Sequence, residues 1–181
     1  PVPGGKKTLL VIGGAGGVGS ITIQLARALS DVTIIAPASR PEAKAWVEAL
    51  GAHHVISHAD PLGPQITALG VGSVDFVTST THSHLYSEEV AGIMTPQGRY
   101  GLIDDPETFD IIPFKPKAIS VHWEFMFTRP MFETADMQRQ GDILNEVAAF
   151  IDKGQVKSTV AENFGTINAA NLIKAHKLLE S

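Results

Sequence analysis

The chain has 181 residues, 44% of them hydrophobic and 18% charged, which is an ordinary composition for a soluble globular protein with one substantial core. Fourteen basic and nineteen acidic residues give a net charge of -5 without any Lys/Arg cluster, so a surface for nucleic acid or for an anionic membrane is not expected. There is no cysteine, which excludes disulfides, cysteine nucleophiles and thiolate metal ligands within this sequence. The sequence shows no signal peptide and no apolar run long enough to cross a bilayer, so we expect a cytoplasmic protein.

The first predicted elements are a strand and a glycine-rich turn. Residues Thr8–Ile12 form a short unbroken apolar run, which is typical of a strand buried on both faces of a parallel sheet. The glycines that follow, Gly14, Gly16 and Gly19, fit the pattern G-x-G-x-x-G. In that pattern the glycines allow a tight turn, a close approach of the backbone to a pyrophosphate, and helix–strand packing.

A helix is predicted directly after this turn. From Val18 onward, the spacing of Ile21, Leu25 and Leu29 gives the helix one apolar face. The N–H groups at its start would point toward the phosphates of a dinucleotide. The strand, turn and helix together therefore predict a dinucleotide site, and a glycine-rich turn without a ligand is the alternative.

Strand and helix signals alternate along the rest of the chain. Gly51 and Gly154 are placed to end helices, a turn is predicted at residues 96–98, and a proline-rich surface excursion at residues 106–116. The tail has a strand-like stretch and a last helix with Asn168 as its N-cap. This order predicts an α/β Rossmann fold, a doubly wound parallel sheet of about six strands with flanking helices. The further strands are predicted at residues 32–36, 55–56, 74–77, 99–103 and 119–127, and the further helices at residues 41–50, 64–69, 83–94 and 135–153.

The end of the second predicted strand indicates which dinucleotide binds. Folds that bind NAD usually place Asp or Glu there, roughly 20 residues after the glycines, to hold the ribose 2′-hydroxyl. This sequence offers Ser39 and Arg40 instead, with no carboxylate before Glu42. These two residues and Lys44, one helical turn on, suit the 2′-phosphate of NADP(H), which we predict as the cofactor. The alternative is that Ser39 caps the helix and Arg40 is a solvated surface charge.

Several motifs in a fixed order resemble one enzyme family. The stretches AGGVGS (residues 15–20) and IQLAR (residues 23–27) resemble the cofactor domain of medium-chain dehydrogenases/reductases, in the quinone-reductase-like branch. The segment from NAA (residues 168–170) to AHKLLES (residues 175–181) resembles the last helix of that family. GRYGLIDD (residues 98–105) and WEFMFTR (residues 123–129) resemble, more narrowly, the zinc-type alcohol dehydrogenase-like proteins. The resemblance covers essentially the whole chain.

The resemblance implies a domain organisation and an activity. Residues 1–154 would form the NADP-binding Rossmann domain, and residues 155–181 would lead back to a GroES-like catalytic domain that this sequence does not contain. The substrate pocket, most proton-transfer groups and any zinc ligands would lie in that domain, so we predict no catalytic residue and no metal ligand here. The whole protein would transfer a hydride between the nicotinamide and a carbonyl, enone or quinone substrate. We expect the chain alone to bind cofactor with little or no turnover.

The same resemblance assigns the contacts of the pyrophosphate and of the adenosine. The backbone of Gly16, Gly17 and Val18 matches the positions that meet the pyrophosphate. Ser39, Arg40 and Lys44 match the 2′-phosphate group. His58, after the third strand, falls where relatives place a Tyr near the adenosine, and a solvent-exposed loop histidine is the alternative.

Sheet geometry predicts where the nicotinamide lies. A dinucleotide crosses the carboxyl ends of the strands, so its nicotinamide half must lie near the ends of the later strands. Residues there would orient the ring, while the hydride chemistry belongs to the cofactor. The residues selected in this way are Ser79, Thr80, Leu102, Ile103, Phe127 and Thr128.

Two other features have competing interpretations. His82 and His84 could suggest a metal or a general base, but no carboxylate or thiol stands at ligand spacing, so we favour polar residues at a helix start. Trp123 and Phe125 alternate along the sixth predicted strand. They belong either to the core or to a homodimer formed by joining this strand across a two-fold axis, as relatives often do, and we predict the homodimer.

Other classes of function are less consistent with the sequence. A short-chain dehydrogenase needs Tyr-x-x-x-Lys, but neither Tyr86 nor Tyr100 is followed by Lys four residues later. A methyltransferase would need an acidic residue after the second strand. A non-catalytic NADP(H)-sensing module with the same fold stays open as an alternative function.

Overall fold

One sheet of six parallel strands organises the molecule. The structure is a computed structural model that describes residues 6–180, so residues 1–5 and 181 of the two predicted domains lie outside it. The strands are β1 (Thr8–Ile12), β2 (Thr33–Pro37), β3 (His54–Ile56), β4 (Val74–Ser79), β5 (Met94–Leu102) and β6 (Ser120–Trp123). They lie in the order β3-β2-β1-β4-β5-β6, and every pairing is parallel. This order confirms the predicted doubly wound Rossmann fold.

Helices follow the strands in the predicted alternation. Within residues 6–180, no helix is long and apolar enough to span a membrane. The helices are α1 (Gly17–Leu29), α2 (Pro41–Ala49), α3 (Leu62–Ala68), α4 (Ser83–Ile93), a 3₁₀ helix (Ile112–Lys117), α5 (Thr128–Met131), α6 (Arg139–Asp152) and α7 (Ala169–Leu179).

The core has two parts, one on each face of the sheet. Successive side chains of a strand point to opposite faces, and β1 is buried on both. Val11 packs with Ile23 of α1 on one face, whereas Leu10 and Ile12 pack with Val90 of α4 on the other. Packing on both faces therefore holds the carboxyl ends of β1 and its neighbours side by side at one edge of the strands.

Two strands differ from the prediction at their ends. The predicted turn at residues 96–98 lies inside β5, because Gln97 has a φ of 62° and the pairing with β4 shifts register there. Residues 96–98, predicted to be a turn between two elements, therefore form a bulge within the strand. The sixth strand is shorter than predicted, since β6 ends at Trp123 and residues 124–127 turn into α5, with Thr128 N donating to Phe125 O at 3.0 Å. The strand was predicted too long because apolar residues alternate in this exposed segment as they do in a strand.

The last part of the chain carries α6 and α7 and is hydrogen-bonded to α1. Helix α6 begins at Arg139, after turns at residues 135–138 that were predicted to be helical. The predicted strand-like stretch of the tail is irregular in the structure, whereas the N-cap is confirmed because Asn168 Oδ1 accepts from Asn171 N at 2.9 Å. The side-chain amide of Gln24 in α1 pairs with both backbone groups of Lys157, at 3.1 and 2.7 Å.

Candidate cofactor site

The glycine-rich turn is shaped by backbone contacts. Gly13 has a φ of +78°, and its carbonyl accepts from Gly16 N at 3.0 Å. A Cβ on Gly19 would lie 2.2 Å from that same carbonyl oxygen, which real Cβ atoms essentially never approach so closely. Gly19 is therefore required for the packing of α1 on the turn. Sequence reasoning missed Gly13, although a glycine directly after a buried strand is a signal for a positive φ.

The start of α1 is open to a ligand. Gly16 is the N-cap and provides no side-chain cap, and the first turn of the helix contains no acidic residue. Ser20 N makes the first helical bond, to Gly16 O at 2.8 Å. Gly17 and Val18 are exposed, and a Cβ on Gly17 would meet nothing within 4 Å. Helix N–H groups without side-chain caps are a favourable site for a phosphate.

Two adjoining cavities lie over this turn. The first, of about 420 Å³, extends from the turn toward the ends of β2 and β3 and the start of α4. The second, of about 370 Å³, lies on the other side, between the turn and the end of β4. Their size suits parts of a dinucleotide. The first is lined by Ile12, Gly13, Ala15, Gly16, Pro37, Ala38, Arg40, Ala43, His58, Thr81, His82, Leu85 and Tyr86, and the second by Gly13, Gly16, Gly17, Val18, Thr80 and Thr81.

The residues predicted for the adenosine half separate into three groups. Arg40 and His58 line the first cavity together, although they are 18 positions apart in the chain. Ser39 is half-buried beside them, and its Oγ is 3.1 Å from Ser57 Oγ. Lys44 is exposed and lines neither cavity, and Gly14 is buried behind the turn.

The residues predicted for the nicotinamide half are more dispersed. Thr80 lines the second cavity, and its Oγ1 donates to Ile12 O at 3.1 Å. Ser79 and Leu102 are both fully buried, so neither presents surface to a ligand within the described chain. Ile103 is half-buried and donates its N–H to Ser79 O at 3.2 Å.

Phe127 and Thr128 lie on the surface, outside both cavities. Phe127 is exposed, and its ring is in edge contact with that of Phe125 at a centroid distance of 5.5 Å. Thr128 is also exposed, at the first position of α5. Their nicotinamide roles stay predictions.

Sequence reasoning missed the contribution of the loop after β4 and of the first turn of α4. Thr81, His82, Leu85 and Tyr86 all line the first cavity. His82 has a φ of 52°, uncommon for a residue other than glycine, and its Nδ1 is 2.6 Å from Thr81 Oγ1. The signal was available, because β1 and β4 pair at the point where the strand order reverses and ligands bind at such points.

A half-buried carboxylate holds the start of α4 in place. Asp104, after β5, accepts from Ser83 N at 2.8 Å and from the Ser83 hydroxyl. Ser83 Oγ in turn donates to Ser79 Oγ at 2.7 Å. Burial raises the pKa of the nearby Tyr100 phenol, and the hydroxyls of Ser79 and Ser83 offset part of that rise. These groups tie β4, β5 and α4 together beneath the cavity floor.

A Rossmann sheet, an uncapped glycine-rich helix start and a cleft across the strand ends define the architecture typical of dinucleotide-binding domains. A profile described as zinc-binding dehydrogenase matches residues 17–140. The chain belongs to the zinc-binding dehydrogenase family, which confirms the resemblance to medium-chain dehydrogenases/reductases in their cofactor-binding domain.

Individual relatives agree with this assignment. A zinc-type alcohol dehydrogenase-like protein of Staphylococcus aureus (strain MSSA476) is 34% identical over 99% of this chain and 54% of its own length. A crystal structure from Rhizobium etli CFN 42, assigned provisionally as a zinc-dependent alcohol dehydrogenase, is 54% identical over 99% of this chain and 53% of its own, with a TM-score of 0.93. The chain thus spans about half the length of these relatives.

Two further matches differ in their cofactors. An NAD-dependent alcohol dehydrogenase of Saccharolobus solfataricus is 34% identical over 99 residues, which is 54% of this chain and 28% of that protein. Escherichia coli quinone oxidoreductase, solved as a complex with NADPH, shares the fold with a TM-score of 0.79 at 20% identity, over 97% of this chain and 54% of its own.

The described residues do not fit a zinc ion. Within residues 6–180, no three His, Cys, Asp or Glu side chains come together as metal ligands would. Structural and catalytic zinc sites need three or four such ligands. No step of the chemistry is therefore assigned to a metal held by this part of the chain.

Proposed function

We propose that the chain is the NADP(H)-binding half of an oxidoreductase that transfers a hydride between the nicotinamide and a carbonyl, enone or quinone. The observation that carries the choice of NADP(H) is the lining of the first cavity. It contains Arg40 and His58, and none of its residues is Asp or Glu. A ribose 2′-hydroxyl is normally held by a carboxylate, whereas a 2′-phosphate needs cations and hydrogen-bond donors.

The chain's own residues bind and orient the cofactor. The N–H groups at the start of α1 hold the pyrophosphate, while Arg40 and His58 hold the adenosine end. Thr80 and Ile103 lie toward the nicotinamide end, beyond β4 and β5. The bound cofactor supplies the hydride. The domain's contribution is to fix the position of the cofactor against the substrate.

Fluorescence titration of the chain with NADPH and NADH tests the choice of cofactor. We expect NADPH to bind at least about tenfold more tightly, since one charge-assisted hydrogen bond contributes about 1.5–3 kcal/mol. Arg40→Ala should remove most of that preference, whereas Arg139→Ala on the exposed face of α6 should keep it. Tighter binding of NADH by the unaltered chain would refute the proposal.

The substrate site and its proton-transfer groups are proposed to lie in the half of the relatives that this chain does not span. The chain alone should then bind cofactor without turning over quinones, enones, aldehydes or alcohols. A steady-state assay of NADPH oxidation with these substrates tests this, and turnover by the chain alone would contradict it. The cytoplasmic location stays a prediction.

A homodimer through the edge of β6 is proposed as the assembly. β6 pairs only with β5 within the described sheet, and the adjoining side chains of Trp123 and Phe125 are 57% and 50% exposed. An open edge beside exposed aromatic rings is a surface on which a second copy can pair. Light scattering should give the mass of two chains, and Trp123→Lys should shift it to one. A monomeric unaltered chain would refute the dimer.

A further inference from the structure

Two serine hydroxyls meet where β2 and β3 end. Ser39 lies two residues beyond β2, Ser57 lies one residue beyond β3, and their Oγ atoms are 3.1 Å apart. Each serine is followed directly by a residue that lines the first cavity, Arg40 in one case and His58 in the other. Both serines are half-buried, and each is adjacent in the chain to one of the two basic residues that line the cavity, although neither serine lines it.

The hydrogen bonds around Ser57 are compatible with one direction of this contact that leaves a proton for a ligand. Ser57 Oγ accepts from Ala59 N at 3.1 Å, and either serine hydroxyl can donate to the other. With Ser57 as the donor, the Ser39 proton is left for a third group. Hydrogen bonds aligned in one direction polarise and strengthen each other. Such a chain, from Ala59 N–H through both hydroxyls, ends in a donor and suits a group that can only accept.

The amide of Gln65 holds Ser57 in this position. From α3, Gln65 Oε1 accepts from Ser57 N at 2.8 Å, and its Nε2 donates to Ser57 O at 2.8 Å. The same Nε2 donates to the carbonyls of Asp60 and Pro61, at 3.2 and 3.0 Å. One neutral side chain thus fixes the loop that carries both Ser57 and His58, without bringing a negative charge to the cavity wall.

We propose that Ser57 is a specificity-determining residue for NADP(H), and that Gln65 is a positioning residue acting through it. Ser57 donates to Ser39, and Ser39 donates to the 2′-phosphate beside Arg40. This inference rests on the proposed function and deepens it, because it assigns the choice between the two cofactors to a hydroxyl just after β3 as well as to the residues after β2. A ribose 2′-hydroxyl, which must also donate, finds no carboxylate among the residues that line the cavity.

The test uses two ligands that differ only in the 2′-phosphate. Adenosine 2′,5′-bisphosphate and adenosine 5′-monophosphate are titrated by calorimetry into the 181-residue chain and its variants. Ser57→Asp reverses the direction of the hydrogen bond and adds a negative charge. We expect it to weaken the bisphosphate about 10- to 100-fold and to change the monophosphate less than about twofold. Ser57→Thr keeps the hydroxyl and should keep the preference.

A matched control separates a local effect from a general one of charge. Ser73→Asp adds the same charge at an exposed position just before β4, at the amino ends of the strands and not at the carboxyl ends where Ser57 lies, and should leave both affinities unchanged. Equal losses for both ligands in Ser57→Asp, or no loss, would overturn the inference. If Ser57→Asp fails to fold, Ser57→Ala provides the same comparison, with a selective loss of about three- to tenfold expected.

The outcomes also distinguish this inference from the proposed function. If the chain prefers the bisphosphate in a Ser57-dependent way but does not prefer NADPH over NADH, the Ser57 subsite is supported and the choice of NADP(H) as cofactor is refuted. A chain that does not discriminate between the two adenosine ligands refutes the Ser57 assignment directly. If the chain prefers both NADPH and the bisphosphate but Ser57→Asp binds both as the unaltered chain does, the proposed function is supported and the role of Ser57 is refuted.

Discussion

Two neighbouring glycines in α1 should respond in opposite ways to the same added methyl group. A Cβ on Gly19 would lie 2.2 Å from Gly13 O and 2.6 Å from Gly14 Cα, so the backbone of the turn would have to move. A Cβ on Gly17 would meet nothing within 4 Å, because that side of the turn opens into the second cavity. Gly19→Ala is therefore a perturbation of folding, and Gly17→Ala is a perturbation of the ligand site.

The size of each effect follows from these distances. Ordinary van der Waals contact for a Cβ begins near 3.4 Å, so the contact from Gly19 is 1.2 Å too short (3.4 minus 2.2). Forcing an extra carbon into a packed site typically costs about 1–3 kcal/mol, which lowers the Tm of a domain of this size by up to about 10 °C. Gly17→Ala should instead raise stability by about 0.4–1 kcal/mol, since Ala restricts the unfolded chain and favours the helix.

The cofactor affinity should change in the reverse order. The methyl group of Gly17→Ala occupies the space where the backbone would approach the pyrophosphate, so NADPH binding should weaken by about tenfold or more. Thermal melts by circular dichroism and fluorescence titration of each variant measure the two quantities. A Gly17→Ala variant with unaltered NADPH affinity would refute the phosphate site at this turn. A Gly19→Ala variant as stable as the unaltered chain would refute the packing argument.

Three further predictions concern stability. Gln24→Leu removes the hydrogen-bond partners of Lys157 N and Lys157 O. We expect the free energy of unfolding to fall by about 1–3 kcal/mol in denaturant unfolding, and hydrogen exchange after α6 to be faster by mass spectrometry. Asp104→Ala removes the cap of α4 and should cost about 1–2 kcal/mol, whereas Ala at the adjacent, exposed Asp105 should cost less than about 0.5 kcal/mol in the same unfolding assay. Burial, with the charge of a nearby arginine, lowers the pKa of His53 below its ordinary value of 6.5. The unfolded chain then binds this proton more readily, so the contribution of His53 is present above pH 6.5 and is lost as the pH falls through the folded pKa. Melts across this range should show a smaller acid-induced drop in Tm for His53→Asn, and an equal drop would contradict the assignment.

The sequence predicted those parts of the fold that local periodicity determines. The apolar run of β1 and the glycine spacing before α1 gave the strand, turn and helix correctly, since each signal is local and unambiguous. The predicted end of the sixth strand was wrong because Phe125 and Phe127 alternate as in a strand, but both are exposed in the segment that leads into α5. Alternation describes which residues can share a face, and it does not indicate whether a neighbouring strand is present to pair with them.

The site was only partly predictable for a related reason. Gly16, Arg40 and His58 line the first cavity. They could be predicted from the sequence because each follows a recognisable strand signal. Ser57 and Gln65 were missed, since their roles depend on hydrogen bonds between β2, β3 and α3 that no spacing in the chain specifies. Hydrogen-bond direction is a property of the assembled loops. It appears only once the carboxyl ends of the strands are in one place.

The two ends of the dinucleotide site are built to different degrees within this chain. At the adenosine end, the Ser39 hydroxyl and the loop after β3 are each held by a neighbouring side chain. Toward the other end, Ser79 and Leu102 are inaccessible, while Phe127 is half exposed and touches another surface ring. A site whose side chains are already ordered loses little conformational entropy when a ligand binds. A site whose residues are dispersed loses more, or needs further contacts to order it. We therefore propose that a dinucleotide bound to this domain is anchored mainly by its pyrophosphate and adenosine, and that its nicotinamide end is positioned by contacts that Ser79, Leu102 and Phe127 do not supply.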